Sequence, residues 1–232
     1  MVAEPAIALI AARGGSKGIP GKNLADFCGR PLLAWSIEHA LAAESIEGVW
    51  VTSDDRELLE IASACGAETI LRPSELATDT SSSESAWLHA LDEIERAGGR
   101  AGLVCALQAT SPLREPSDID RGIADFAAQG CDSLFSASEI RDFLVWRRTE
   151  DGLQSVNYDF RARGMRQDRS AWYVENGSFY VFPPDVLRRE GNRLGGRIGV
   201  TLMELWKSFE IDSPEDLETC ELLMRHYLLE AV

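Results

Sequence analysis

The stretch AIALIAARGGSKGIPGKN, residues 6–23, decides the fold of this chain. Its first part, Ala6–Ala12, is a continuous apolar run, which is typical of a strand buried on both faces of a parallel sheet. A glycine-rich loop follows directly, and after it Pro31–Ala43 carries apolar residues at helical spacing. A buried strand, a glycine-rich turn and a helix in that order indicate an α/β unit.

The same alternation continues along the chain. It predicts strands at Val49–Thr52, Thr69–Leu71, Leu103–Leu107, Ser133–Ser138, Ser178–Phe182 and Ser208–Ile211. It predicts helices at Asp55–Ala64, Ser83–Ala97 and Pro116–Ala128, with a last helix that begins at Ser213. This order indicates an α/β fold with a mainly parallel, Rossmann-like sheet and helices on both faces. Ligands of such sheets bind beyond the carboxyl ends of the strands, so we expect the functional residues in the loops there.

The alternating pattern stops between residues 139 and 173. This segment is rich in arginine and acidic residues, has few periodic apolar positions and contains Glu150-Asp151-Gly152, which is typical of a hairpin turn. We interpret 139–173 as an inserted dimerisation arm rather than a second catalytic domain. Residues 1–138 and 174–232 then form one α/β core.

The composition limits the classes of partner. The formal net charge of −15 argues against nucleic acid and anionic membranes, because both require a basic surface. No apolar run is long enough for a transmembrane helix, and Met1–Ile7 lacks the basic residues of a secretory signal. The five cysteines form no C-x-x-C pair, so neither zinc nor disulfides are indicated. We expect a cytoplasmic protein.

Residues 13–23 carry the strongest functional signal. Glycines in this loop let the backbone approach a polyphosphate closely and aim N–H groups at its oxygens. Arg13, Lys17 and Lys22 supply positive charge, which suits the negative charge that builds on departing pyrophosphate. The candidates for nucleotide binding in this region are Ala12, Arg13, Gly14, Gly15, Ser16, Lys22 and Asn23.

Two named phosphate loops do not match this sequence. A Walker A loop would need glycine in place of Ser16 and Ser or Thr in place of Asn23. The dinucleotide fingerprint G-x-G-x-x-G is excluded because Gly14 and Gly15 are adjacent. The alternative interpretation is a solvated turn with incidental basic residues, which the position of the loop after a buried strand disfavours.

Two further strand ends carry candidate binding residues. Arg72 follows the third strand and suits a phosphate or a base edge. Ser83 closes a run of hydroxyl residues that can hydrogen-bond a nucleobase or cap the next helix. The segment Gln108–Arg114 offers neutral donors and one arginine, which suit a sugar or a carboxylate. The alternatives are helix capping for the serines and a simple turn for Gln108–Arg114.

A pair of carboxylates near the carboxyl terminus indicates a metal. Glu210 and Asp212 lie two residues apart at the end of a predicted strand, so their side chains are expected to face one side. Mg²⁺ favours one or two carboxylates together with substrate phosphates. The alternative is that Asp212 only leads into the helix that begins at Ser213.

Five segments together resemble the acylneuraminate cytidylyltransferases, the CMP-sialic acid synthetases. They are, in order, Arg13–Asn23, Arg72–Ser83, Leu107–Arg114, Arg166–Tyr180 and Glu210–Asp212, and they span nearly the whole chain. The first and third resemble the wider group of cytidylyltransferases that act on ulosonic acids. Arg166-Gln167-Asp168 and Glu175-Asn176-Gly177 resemble the enzymes of nine-carbon acids rather than the KDO enzymes.

The resemblance implies a role for each segment. The CTP phosphates would be held by Arg13, Ser16, Lys17, Lys22 and Asn23, and the cytidine would be approached by Arg72 and Ser83. The residues of the sugar-acid pocket would be Gln108, Thr110, Ser111, Arg166, Asn176 and Tyr180. Mg²⁺ would be bound by Asp212 with Glu210. The catalytic residues would be Arg13, Lys17, Lys22 and Asp212, and the 139–173 arm would form a homodimer.

A few positions depart from the family pattern. Ala11 and Ala109 stand where the family usually has proline. These departures affect the expected rigidity of the backbone there more than the expected chemistry. Glu210 replaces a common aspartate, so one metal ligand is longer by a methylene.

The implied reaction is attack of the anomeric hydroxyl of a 2-keto sugar acid on the α-phosphorus of CTP, with release of pyrophosphate. No His–Asp or Ser–His pair offers an evident general base, so we expect Mg²⁺ with Lys and Arg to dominate the chemistry. The sequence does not separate N-acetylneuraminate from legionaminate, pseudaminate, KDN or KDO. The remaining alternatives are a sugar-1-phosphate nucleotidyltransferase and a non-catalytic nucleotide-binding protein.

Overall fold

The computed structural model describes residues 6–16, 18–165, 167 and 169–229. The strands are β1 (Ala6–Ala11), β2 (Asp26–Phe27), β3 (Arg30–Pro31), β4 (Gly48–Ser53), β5 (Glu68–Leu71), β6 (Leu103–Leu107), β7 (Ser133–Ile140), β8 (Trp146–Thr149), β9 (Gly152–Ser155), β10 (Trp172–Phe182) and β11 (Ile198–Leu202). The α-helices are α1 (Leu32–Ala42), α2 (Arg56–Ala64), α3 (Ser83–Arg96), α4 (Pro116–Gln129), α5 (Pro184–Glu190) and α6 (Pro214–Met224). Within these described ranges, no helix is long and apolar enough to cross a membrane.

A seven-stranded sheet, in the order β11-β7-β10-β6-β1-β4-β5, forms the centre of the protein. Neighbouring strands are parallel except at β10, which is antiparallel to both β6 and β7. The predicted α/β fold with a mainly parallel sheet is therefore confirmed. The reversed direction of β10 follows from its connection, because the 139–173 arm leaves the end of β7 and returns beside it without crossing the sheet.

The two faces of β1 explain its continuous apolar sequence. Ala8 and Ile10 belong to the core cluster that includes Leu33 of α1 and residues of α2 and α4. Ile7 and Leu9 belong to the cluster formed with α3 and α5. Because helices cover both faces of the sheet, successive positions of this strand are buried and no polar alternation appears.

Side-chain caps fix where helices α2, α3 and α6 begin. Asp55 caps α2, and Ser82 caps α3 by accepting the Ser85 N–H at 3.1 Å. Ser213 caps α6 by accepting the Asp216 N–H at 3.2 Å, and Asp216 in turn accepts the Ser213 N–H at 2.8 Å. This capping box confirms the predicted helix start at Ser213, since both partners satisfy N–H groups that the helix leaves free.

The predicted strand Ser208–Ile211 is wrong. A 3₁₀ turn covers Leu205–Ser208, and residues 209–212 continue as irregular chain. The edge of the sheet is instead formed by β11, which had no sequence prediction and pairs with β7. Ile211 is fully buried, and its N–H donates to the carbonyl oxygen of Thr110 at 2.8 Å. The apolar residue Ile211 is therefore buried because it anchors a loop, and not because it lies in a strand.

The arm contains a separate hairpin. Strands β8 and β9 pair antiparallel on either side of Glu150-Asp151, as the turn sequence predicted. Trp146 packs edge-on against Tyr158, with ring centroids 5.8 Å apart. At the base of the arm, β7 and β10 remain paired up to Ile140 and Trp172, so the sheet extends into this segment.

Candidate active site

A cleft of about 280 Å³ lies at the carboxyl ends of β1 and β6, against the first turn of α3. Ligand binding was predicted at this edge of the sheet. The candidate residues that line the cleft are Arg13, Gly15, Ser16, Lys22, Asn23, Arg72, Ser83, Gln108 and Thr110. Lys17 and Arg166, two further candidates, lie outside the described residues.

The glycine-rich loop is closed by two contacts. The side-chain amide of Asn23 donates to the carbonyl oxygen of Arg13 at 3.0 Å, which joins the two ends of the loop. At Gly18, an added Cβ atom would lie 1.9 Å from the carbonyl oxygen of Asp212. Only glycine permits this approach, so the loop and the Asp212 segment depend on each other for their positions.

Arg72 and Asp54 hold the start of the loop. Arg72 is 5% exposed and donates to the carbonyl oxygen of Ala12 at 3.0 Å. Asp54 lies 3.9 Å from Arg72 and accepts the Gly14 N–H at 3.2 Å. Burial lowers the pKa of Arg72, and the charge of Asp54 opposes this shift. Asp54 was not among the candidates, although its position directly after β4 was a signal that it belongs to the site.

Lys22 links the loop to the candidate metal segment. Its ammonium group donates to the carbonyl oxygen of Ile211 at 2.7 Å and to Asp212 Oδ1 at 2.8 Å. The Lys22 side chain is 10% exposed, whereas that of Asp212 is 73% exposed. The lysine is therefore fixed from within the protein, and the carboxylate remains accessible from solvent.

Arg13 reaches across to the segment that precedes α3. Its guanidinium donates to the carbonyl oxygen of Thr78 at 3.0 Å and pairs with Asp79 at 3.0 Å. Thr78 and Asp79 both line the cleft. Because the pair is partly exposed, its energy is small, and a more strongly charged anion in the cleft can compete for Arg13.

The first turn of α3 forms another part of the cleft wall. Ser82 is the helix cap, which agrees with the capping alternative for one serine of this run. Ser83 is the first helical residue and lines the cleft. The N-terminus of a helix carries partial positive charge and free N–H groups, so this wall favours an anion.

Gln108, Thr110 and Glu210 converge beside β10. The Gln108 N–H donates to the carbonyl oxygen of Ser178 at 3.2 Å, and the Thr110 hydroxyl donates to Glu210 Oε1 at 2.8 Å. An added Cβ atom on Gly177 would lie 3.4 Å from Gln108 Nε2 and 3.7 Å from Glu210 Oε2. Gly177 has a φ of 66°, so a glycine is favoured at this meeting point by its backbone as well as by space.

Asn176 is buried within an irregular part of β10. Its side-chain oxygen accepts the Ser136 hydroxyl at 2.6 Å and the Ser178 N–H at 3.1 Å. The residue is 4% exposed, and the pairing of β10 with β7 shifts register across this region. The structure does not bring this side chain into the cleft. It holds the turn that carries Gly177.

Tyr180 lies next to the cleft wall rather than in its lining. Its ring centroid is 6.5 Å from that of Trp87, which lines the cleft. Its hydroxyl donates to Glu175. Burial, together with the hydrogen bond to Glu175, raises the pKa of Tyr180, so the phenol stays protonated at neutral pH.

Arg114 is fully buried and stabilises the backbone around Gln108. It donates to the Ser178 hydroxyl at 3.1 Å, to the carbonyl oxygen of Gln108 at 2.5 Å and to that of Ser111. Burial lowers its pKa to about 10. Ser111 is 1% exposed, so neither side chain is available to a ligand in the cleft. The expectation that Arg114 suits a sugar or carboxylate is therefore wrong.

An ionic cluster around the buried Lys207, which no sequence pattern indicated, holds the chain that leads to Glu210. Lys207 is 1% exposed and lies 2.8 Å from both Glu115 and Asp118 and 3.1 Å from Glu204. Burial opposes its charge, but the hydrogen bonds to Asp118 and Glu115 outweigh burial and raise the pKa of Lys207. The cluster joins the start of α4 to this chain.

A cationic glycine-rich loop at the carboxyl edge of a mainly parallel sheet, with a helix N-terminus beside it, defines a nucleotide-binding α/β protein. The family model described as "Cytidylyltransferase" matches residues 7–231. The chain therefore belongs to the cytidylyltransferase family, and the resemblance noted in the sequence is confirmed at this level.

Curated relatives and solved structures agree with this family. The chain is 35% identical to N-acylneuraminate cytidylyltransferase A of Danio rerio over 91% of its own length, but spans only 48% of that protein. It is 30% identical to pseudaminic acid cytidylyltransferase of Campylobacter jejuni, over 94% of this chain and 96% of the relative. The fold matches that of CMP:2-keto-3-deoxy-manno-octonic acid synthetase complexed with CTP, with a TM-score of 0.71, 20% identity, and coverage of 97% of this chain and 100% of the other.

Proposed function

We propose that this protein transfers the CMP group of CTP to the anomeric hydroxyl of a nine-carbon 2-keto sugar acid and releases pyrophosphate. The observation that carries the proposal is a cleft lined by Arg13, Lys22 and Arg72 in a chain of the cytidylyltransferase family. The names of the relatives from Danio rerio and Campylobacter jejuni support the class of acceptor.

The nucleotide end of the cleft suits a triphosphate. The whole chain has a net charge of −15, yet three cations line this one cleft. Lys22 and Arg72 are nearly buried, so their charges are weakly screened by water and act strongly on a bound phosphate. Arg13 is free to exchange its exposed pairing with Asp79 for a contact with CTP. Ser83, at the N-terminus of α3, supports a role in holding the nucleotide.

The proposed reaction exchanges one phosphorus–oxygen bond for another. The anomeric oxygen bonds to the α-phosphorus, the bond from that phosphorus to the bridging oxygen of the β-phosphate breaks, and the hydroxyl proton passes to solvent. Such transfers depend mainly on positioning and on stabilising charge. Among the described residues that line the cleft there is no histidine, which supports a reaction carried by cations. Arg13 and Lys22 offset the charge on the departing pyrophosphate, and Lys17 is proposed to join them.

The acceptor end is proposed to lie at Gln108 and Thr110. These side chains offer neutral donors and acceptors next to β10, which suits the hydroxyl groups of a sugar acid. Asn176 and Tyr180 support this end from behind, since Asn176 holds the Gly177 turn and Tyr180 lies beside Trp87.

We also propose that Mg²⁺ acts with CTP at Asp212 and Glu210. In the described part of the chain no group of three or more His, Cys, Asp or Glu residues could hold a metal alone. An exposed carboxylate beside a phosphate site nevertheless fits Mg²⁺, which takes one or two carboxylates and completes its shell with phosphates and water. When bound, the ion would neutralise phosphate charge. Asp212 is the more accessible ligand, because its side chain is 73% exposed, whereas Glu210 is half-buried and accepts a hydrogen bond from Thr110.

The test of the metal proposal is the variant Asp212→Asn, with Asp185→Asn on the exposed surface of α5 as its control. We expect Asp212→Asn to lower kcat about 100-fold and to raise the Mg²⁺ concentration needed for half-maximal rate. A rate equal to that of the wild type at saturating Mg²⁺ would remove the metal role of Asp212.

The arm supports a homodimer. It exposes large apolar side chains, among them Phe143 at 55%, Leu153 at 64%, Met165 at 65% and Trp172 at 40%. Several large exposed apolar side chains on one segment are typical of an interaction site. We propose that two copies of the chain cover it through residues 139–173, and that Arg166 takes part in the sugar-acid pocket.

The cysteines support a reducing compartment. Cys28, Cys65, Cys105, Cys131 and Cys220 are free thiols. Free, partly buried thiols are typical of proteins in the cytoplasm, where we propose that this enzyme acts.

The function is tested by pyrophosphate release from CTP and Mg²⁺ with a panel of acids: N-acetylneuraminate, KDN, legionaminate, pseudaminate and KDO. We expect release with at least one nine-carbon acid and none without an acid. CTP binding without release in every reaction would contradict the catalytic proposal. Release with KDO alone would correct the acceptor class.

A further inference from the structure

Arg193 connects the segment after α5 to the first turn of α3. Its Nε donates to Glu84 Oε1 at 2.7 Å, and the two side chains are 18% and 14% exposed. Glu84 is the second residue of α3, directly after Ser83 of the cleft wall. Arg193 therefore holds the part of α3 that faces the cleft.

The same guanidinium caps two aromatic rings. Its central carbon lies 4.6 Å from the ring centroid of Trp87 and 4.6 Å from that of Tyr180. The two ring centroids are 6.5 Å apart, so the guanidinium lies close to both neighbouring rings. A cation in this position attracts both ring faces and restricts how they tilt against each other.

The two rings belong to different elements beside the cleft. Trp87 lines the cleft from α3, whereas Tyr180 lies on β10 and pairs with Ala106 of β6. Gln108 follows the end of β6 and hydrogen-bonds to the backbone of β10. Trp87 lines the same cleft as Gln108, and Tyr180 lies on the strand to which Gln108 hydrogen-bonds, so the two rings are placed to affect the part of the cleft that contains Gln108.

The Arg193–Glu84 contact is an ion pair at neutral pH. Burial alone raises the pKa of Glu84, but the hydrogen bond from Arg193 and backbone hydrogen bonds outweigh burial and lower it. Both side chains are mostly buried, so water and salt screen this charge-assisted hydrogen bond less than they screen a surface pair.

We propose that Arg193 is a positioning residue for the sugar acid: it fixes Trp87 and Tyr180 and so sets the width of the cleft beside Gln108. This role rests on the proposed function. Arg193 is outside the cleft lining and acts through the rings, so its loss weakens acid binding and leaves the chemical step unchanged.

Arg188 provides a matched control on the same interface. It lies on α5 and pairs with Asp92 at 3.3 Å and Glu95 at 2.8 Å, both farther along α3 than the cleft wall. Arg188 and Arg193 thus both join the segment after β10 to α3. They differ in that the guanidinium of Arg193 lies over Trp87 and Tyr180.

The experiment compares Arg193→Met with Arg188→Met in the full chain by steady-state kinetics and thermal unfolding. We expect Arg193→Met to raise KM for the sugar acid about tenfold, with kcat and KM for CTP within about twofold of wild type. Arg193→Lys, which keeps the charge but not the planar group, should recover part of the loss. Arg188→Met should leave both KM values unchanged.

Three results would overturn the proposal. They are an unchanged KM for the acid, an equal rise in Arg188→Met, and a rise confined to the KM for CTP. If Arg193→Met does not fold, Glu84→Gln replaces it with the same expectation. A wild type that releases no pyrophosphate with any acid fails the proposed function itself, which distinguishes that outcome from a failure of Arg193 alone.

Discussion

The cleft and the 139–173 arm differ in where their side chains find partners. Around the cleft, functional groups are held from inside the chain: Lys22 is 9% exposed and Arg72 is 5% exposed, each hydrogen-bonded to a backbone carbonyl. In the arm, Phe143 and Leu153 are 55% and 64% exposed. The side chains around the cleft are therefore held by contacts within the chain, whereas the arm exposes apolar side chains that we propose a second copy covers.

This difference bears on how mutations act in the two regions. A change near the cleft breaks contacts within one chain, so it affects activity and stability at any protein concentration. A change at an exposed apolar side chain of the arm is expected, under the proposed dimerisation, to act through association, which depends on protein concentration. The following tests separate the two kinds of effect.

The largest effect is expected at Lys22. The variant Lys22→Met removes the ammonium that contacts Asp212 and Ile211 and faces the proposed phosphate site. We expect kcat/KM to fall about 100-fold to 1000-fold, the range seen when one charge-stabilising donor is removed. Pyrophosphate release measures it, and Arg30→Met, at a cation paired with Glu38, is the control. A loss under tenfold would place Lys22 outside the chemistry.

The next effect is expected at Gly18. An alanine there would place its Cβ 1.9 Å from the Asp212 carbonyl oxygen, so the backbone must shift. We expect Gly18→Ala to lower the free energy of unfolding by about 1–3 kcal/mol, as overpacking does. At Gly15 a Cβ meets nothing within 4 Å, so Gly15→Ala should stay within about 0.5 kcal/mol of wild type. Urea denaturation measures the free energy of unfolding of both variants. Equal values for the two would contradict the close approach of Gly18 to Asp212.

The arm provides the third test. Leu153→Glu places a charge on its exposed apolar surface, and Leu222→Glu, at a leucine of α6 that is 71% exposed, is the control. We expect Leu153→Glu to weaken self-association at least about tenfold, because a charge is costly in an apolar interface. Sedimentation over a range of concentrations measures this. A monomeric wild type, or equal loss in both variants, would contradict dimerisation through the arm.

The last test concerns the response of the core to acid, an effect that is small near neutral pH. Burial, with the nearby charges of Arg114 and Lys207, lowers the pKa of His39 from 6.5 to about 3. Between these values the unfolded chain binds a proton that the folded chain does not, so stability falls as pH falls, by up to about 1.4 kcal/mol per pH unit. His39→Gln should reduce this slope. The exposed His226→Gln is the control, and identical slopes for both variants would contradict the assignment.

Local patterns in the sequence determined much of the fold. The apolar run of β1 indicated burial on both faces, and the capping sequence at Ser213 placed the start of α6. The rule that loops meet at the carboxyl edge brought Arg13, Arg72 and Gln108 to one cleft. These inferences succeeded because periodicity, capping and strand direction depend on residues close together in the chain.

Tertiary structure decided which polar side chains face the cleft. The sequence shows that Asn176 and Arg114 are polar, but not that both turn inward to Ser178. The contacts of Lys207 with Asp118 and of Arg193 with Glu84 join residues far apart in the chain, so no local sequence pattern predicts them. Side-chain direction and long-range pairing are set by how complete helices and strands pack. They therefore appear only when the whole chain is folded.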